Sequence, residues 1–122
     1  MTSSRALALG GLVLALATAC GAFGAHALKG LTPERLQLWE TAVRYQFIHG
    51  LGLLAVGLTP GWRERGALPV VSVLLVAGTL LFCGSLYALS LGAPRTLGML
   101  TPLGGAAWLC AWLGYGVAMW RR

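Results

Sequence analysis

The chain has 122 residues, room for one domain, and a net charge of +6. Hydrophobic residues make up 57% of it and charged residues 10%, against roughly 25% charged in a soluble domain, so polar side chains cannot cover a water-facing surface and the bilayer is the expected solvent. The arginines stand singly or in pairs at the borders of apolar runs, as membrane flanks do and a basic face does not, which excludes a nucleic-acid partner.

Arg5 precedes an apolar run, residues 6–28, which as a helix of about 23 residues reaches roughly 34 Å and can cross a hydrocarbon core. A secretory leader is the competing reading, with Ala17-Thr18-Ala19-Cys20 as a weak lipoprotein-like site. The run continues through Leu28, too long for a leader core, so an uncleaved helix is expected. Small residues recur at helical spacing in two rows, Gly11, Ala15 and Ala19, and Ala17, Gly21 and Ala25. Both rows predict close helix packing, because small residues let backbones approach in lipid.

Lys29-Gly30-Leu31 is expected to end this helix, with Gly30 as the cap and Lys29 at the negative end of the dipole. Thr32 as N-cap, Pro33 and Glu34 open the next helix. A turn of about three residues makes the two helices antiparallel neighbours. The second helix starts amphipathic over residues 33–38 and spans the membrane over 39–58, carrying Arg44, Gln46 and His49 into the bilayer. Glu40 and Arg44 form an i, i+4 pair, and Arg44 can snorkel to the interface. Trp39, Ala42, Gln46 and His49 share one narrow sector. Polar groups at such depth normally face protein or water. Two readings stand side by side: hydrogen bonds that lock helices together, and a proton- or ligand-handling histidine. A metal shared by His26 and His49 would need the helix to break near Arg44, since a straight hairpin separates them by roughly 20 Å in depth.

Residues 59–66, with Pro60-Gly61 at their centre, read as a turn; 68–91 is the third span, 92–95 the next turn, and 100–120 the fourth span, with Pro102 in its first turn. Trp108, Trp112, Tyr115 and Met119 form an aromatic stripe, more often core or lipid face than ligand platform. Cys20-Gly21-Ala22 and Cys83-Gly84-Ser85 hint at two related hairpins. Cys20, Cys83 and Cys110 lie in apolar runs, an odd number without zinc spacing, and read as small hydrophobes. No metal site, cofactor or catalytic constellation is expected. The fold class expected is all-α, a four-helix transmembrane bundle of two antiparallel hairpins in a single domain.

Gly21, Gly24 and His26, followed by Trp39, Ala42, Tyr45, Gln46 and His49, make the hairpin from Gly21 to Leu54 resemble the YgdD-like family of small membrane proteins, domain of unknown function 423, with eukaryotic relatives called transmembrane protein 256. The resemblance implies a multi-span protein of the bacterial plasma membrane and supplies no activity. Candidate functional or helix-locking positions are therefore His26, His49, Gln46, Tyr45, Trp39 and Arg44, with Gly21, Gly24 and Ala42 for close packing.

With four spans, Arg5, Arg63, Arg65, Arg121 and Arg122 share one side and Lys29, Arg35, Arg95 and Arg44 the other. The positive-inside rule then favours cytoplasmic termini by a narrow margin. A structural or accessory role, with lipid, a second copy or another membrane protein as partner, is the leading expectation. A small proton or anion transporter using His49 and Gln46 is the alternative. The first helix has no Glu and the chain no Asn, so the charge patterns of small multidrug exporters and fluoride channels are missing.

Overall fold

A computed structural model describes residues 1–121; Arg122, one of the basic residues at the chain end, lies outside the described residues. The fold is all-α: α1 is Ser3–His26, α2 Pro33–Gly57, α3 Ala67–Ser90 and α4 Leu100–Trp120, with a 3₁₀ turn at Arg95–Met99 leading into α4. Helices α1 and α2 form one antiparallel hairpin, α3 and α4 the other, and α2 packs on α3 to join them.

Local signals explain the helix ends. Thr2 caps α1, its Oγ1 accepting from the Arg5 N–H at 3.2 Å. Arg5 therefore lies within the first turn, and α1 starts three residues before the apolar run. Thr32 caps α2 as expected, accepting from the Arg35 N–H at 3.4 Å, with Pro33 at N1. Helix α2 then runs unbroken through Arg44, so its amphipathic start and its apolar half are one rod. Gly92, at φ 102°, closes α3: the Ala93 N–H donates to the Ala88 carbonyl at 3.0 Å and the Gly92 N–H to that of Leu89 at 3.1 Å.

Two expectations about the first turn need correcting. Gly30 is not the cap of α1, which ends at His26 with Ala27 as its C-cap. The connection is Ala27 to Thr32, longer than three residues. The chain leaves the helix early and buries Leu28, while Lys29 and Gly30 remain exposed.

The core lies between α2, α3 and α4, built on Ala42, Leu53 and Val56 from α2, Leu68, Val71, Leu75, Cys83 and Leu86 from α3, and Trp108 and Ala111 from α4. Helix α1 flanks it, seated on the far side of α2. Among the described residues no Cα pair within 8 Å links α4 to α1 or to α2. The helices therefore form a folded row, and α4 reaches α2 through side chains only.

Helix α1, helix α3 and the segment Arg95–Trp120 are each long and apolar enough to cross a membrane. The N-terminal half of α2, with Glu34, Arg35, Glu40 and Arg44, keeps that helix out of the set on composition, although at 25 residues it is no shorter than α1.

Candidate functional site

Helix α2 carries Gln46 and His49, the two largest buried polar side chains, while the small hydroxyls Ser72, Thr79, Ser85 and Ser90 are buried on α3. The register of α2 against α1 is set by glycine. Gly24 lies under Trp39: a Cβ there would come within 2.6 Å of the indole. Gly50 sits against Val13 and Leu14, and Gly57 against Leu7. With the backbones this close, the Trp39 indole N–H donates to the Cys20 carbonyl of α1 at 2.8 Å. The Trp39 ring packs against Phe23 and, edge-on at 4.5 Å, against Tyr87.

One level deeper, Gln46 joins three helices. Its Nε2 donates to the Val13 carbonyl of α1 at 3.0 Å, and its Oε1 accepts from the Tyr87 hydroxyl of α3 at 2.6 Å. The side chain is 5% exposed. A buried amide without such partners would cost several kcal/mol in hydrocarbon, so each bond excludes other registers of the three helices.

His49 follows one turn on, 4% exposed. Its Nδ1 is 2.8 Å from the Tyr45 carbonyl. A carbonyl can only accept, so Nδ1 carries the proton and Nε2 presents the lone pair. That lone pair accepts the Trp112 indole N–H of α4 at 3.2 Å. The imidazole also stacks on the Trp108 ring, centroids 3.6 Å apart and planes within 6° of parallel. Trp108 is held in turn by its own N–H, which donates to the Leu75 carbonyl of α3 at 3.3 Å. Both nitrogens of His49 and one face of its ring are thus occupied.

Beside this lock, between α2 and α4, lies a groove of about 580 Å³ walled by Tyr45, Ile48, His49, Phe82, Trp108 and Trp112, with Gly105 and Ala106 leaving room on the α4 side. Tyr45 is partly exposed at its edge, its ring 14° from the plane of Trp108. The groove is aromatic and apolar, with His49 engaged at its floor.

The structure brings together Trp39, Ala42, Gln46 and His49, as their common sector predicts; all four are buried. His26 and Arg44 stand apart, both exposed. The register that sets Gly24 against Trp39 places His26 beyond that level, whereas His49 lies roughly 15 Å farther along α2. Among the described residues no group of three or more His, Cys, Asp or Glu converges.

Of the small-residue rows, Gly11, Ala15 and Ala19 do not pack helices here. All three are exposed, and nothing lies within 4 Å of a Cβ built on Gly11. The packed face of α1 is Ala6, Gly10 and Ala17, with Gly21 against Val43; Ala25, last of the second row, is exposed. The triplets at Cys20 and Cys83 are not equivalent either, since Gly84 is exposed with no neighbour while Gly21 packs. The stripe from Trp108 to Met119 belongs to the core and its margin. Sequence reasoning missed Tyr87. Its signal was a phenol in the middle of an apolar span, a group that requires a partner. It also missed Gly104, which seats α4 on α3 opposite Gly78, a packing position the third span does offer by its residue type: a Cβ at Gly104 would lie 2.5 Å from the Phe82 backbone nitrogen.

A family model described as "Protein of unknown function (DUF423)" matches residues 20–105. The chain is 43% identical over 112 residues to the UPF0382 membrane protein YwdK of Bacillus subtilis, covering 90% of this chain and 91% of that one. It is 43% identical over 106 residues to a UPF0382 membrane protein of Staphylococcus epidermidis, 86% of each. A UPF0382 membrane protein of Staphylococcus aureus is 38% identical over 114 residues, 93% of each. No solved structure matches the chain.

Proposed function

The chain belongs to the DUF423 family, whose curated relatives are membrane proteins, and from that premise we propose that it is a structural or accessory protein of the bacterial plasma membrane. All four helices cross the bilayer, and both termini lie in the cytoplasm. The molecule works as a rigid unit that presents its outer helices to lipid, to a second copy or to another membrane protein. It has no catalytic role. One observation carries this reading: the buried polar side chains of α2, Gln46 and His49, make every side-chain hydrogen bond within the protein, to Val13, Tyr87, Tyr45 and Trp112. A residue that passes protons or anions needs an open valence toward a water path. Here the Nε2 of His49 would first have to release Trp112. The alternative, a small proton or anion transporter acting through His49 and Gln46, therefore requires the lock to open in every cycle.

Proteoliposomes separate the two. Purified protein should pass protons and anions no faster than protein-free vesicles, while mild-detergent pull-downs run in both directions return a defined membrane partner. Flux in the wild type that disappears in a folded His49→Ala variant would overturn the accessory reading.

A further inference from the structure

At the end of the molecule where α3 begins and α4 stops, a cavity of about 700 Å³ joins two kinds of wall. Arg65 and Arg121 stand at its mouth with Glu64, and Leu113, Gly114 and Val117 of α4 form its side. From Arg121 to Leu113 the helix descends roughly 12 Å, the depth from an interface well into hydrocarbon. Arg65 is held rigidly: its Nη1 donates to the Ala118 carbonyl at 2.6 Å and to the Arg121 carbonyl at 3.4 Å. A guanidinium has five N–H donors, so the donors on Nη2 and Nε can take a bidentate oxyanion while Nη1 caps α4. Glu64 offsets one of the two cations, so the mouth stays net positive. A smaller cavity of about 380 Å³ at the same end repeats the pairing, with Arg5 at its mouth and Ala8, Leu9 and Val73 as its wall.

We propose that the α3–α4 cavity binds an anionic phospholipid, with its phosphate between Arg65 and Arg121 and an acyl chain along Leu113 and Val117. The charge of the mouth selects the headgroup. The apolar wall selects a lipid over a free anion, since Leu113 is 70% exposed and offers a chain surface that phosphate cannot use. The site lies at the opposite end of α4 from Pro102, away from the His49 lock, and does not depend on the accessory reading.

Native mass spectrometry of the full chain in detergent tests it, with phosphatidylglycerol and phosphatidylcholine of identical acyl chains added in turn. The wild type should retain phosphatidylglycerol preferentially. Arg121→Gln, which leaves the Arg65 cap intact, should cut that preference roughly five-fold, the weight of one arginine near an anionic headgroup. Leu113→Trp should lower retention of both lipids, and Arg95→Gln at the other end should change neither. Arg65→Gln also uncaps α4, so the proposal stands or falls on Arg121→Gln and Leu113→Trp, with helicity checked by circular dichroism. Equal retention of the two lipids by the wild type overturns the proposal. So does a preference that survives Arg121→Gln, competition by inorganic phosphate, or a second copy of the chain excluding lipid. The flux and pull-down outcomes for the His49 region leave this result untouched.

Discussion

A buried histidine ring has two nitrogens to satisfy, and His49 satisfies both within the protein while stacking on Trp108. The two contributions can be separated. His49→Phe removes the hydrogen bonds but keeps a ring against Trp108; His49→Ala removes both and leaves a cavity. We expect about 1 kcal/mol of destabilisation for Phe and about 2–3 kcal/mol for Ala, read from unfolding in bicelles. Equal losses would show that the stack contributes nothing. Gln46 allows a cleaner test. Gln46→Leu strands the Tyr87 hydroxyl, whereas the Val13 carbonyl keeps its helical partner. The single variants Gln46→Leu and Tyr87→Phe should each cost about 1–2 kcal/mol, and the double variant less than their sum. Strict additivity in that cycle would mean the 2.6 Å bond carries no coupling.

At the scale of elements, glycine decides how close the helices come. Gly104 faces backbone on α3, and backbone cannot rotate away, so Gly104→Ala must push the hairpin apart. Gly24 faces the Trp39 indole, which can turn aside at the expense of its bond to Cys20. Gly11 faces nothing. The expected order of destabilisation is Gly104→Ala above Gly24→Ala, with the first at about 2–3 kcal/mol and Gly11→Ala neutral or slightly stabilising. Thermal unfolding in one detergent, run on all three, checks the order; a costly Gly11→Ala would reveal a covered α1 face. Glycine and alanine at helical spacing were legible as packing residues, but which row packs was not. Gly11, Ala15 and Ala19 have the same spacing as a buried row, and only the rotation of α1 on α2 turns them outward. The caps were legible where the signal is local, as at Thr32-Pro33. They were not where burial of Leu28 overrode a glycine, or where the chain takes a 3₁₀ turn before Leu100.

For the whole molecule, orientation in the membrane rests on α2. If α2 crosses, the α1–α2 and α2–α3 loops lie on opposite faces. In a cysteine-free background, a membrane-impermeant thiol reagent added to inside-out vesicles should label Arg63→Cys and spare Lys29→Cys. Labelling of both would mean that α2 does not cross. The row-like packing leaves α1 and α4 unjoined and the outer faces of both apolar, with Leu12, Leu16, Leu109 and Leu113 exposed. Such faces are at home in lipid, which is as apolar as leucine.

Few charges, long apolar runs and strong caps are properties of a segment alone, and a continuous apolar run of about 20 residues satisfies its backbone in lipid as a helix, since barrel strands are half that length and alternate. Residue types and spacing therefore already dictated an all-α membrane hairpin pair, and the shared sector of Trp39, Ala42, Gln46 and His49 followed from helical geometry. The partners of those residues did not follow. A side chain one turn away can face α1, α3 or α4 after a small rotation of α2, and a hydrogen bond in a membrane is too weak to be read from one end. Packing of Gly24 and Gly50 across the α1–α2 seam sets that rotation. It brings Gln46 into hydrogen bonds with α1 and α3 and His49 into one with α4.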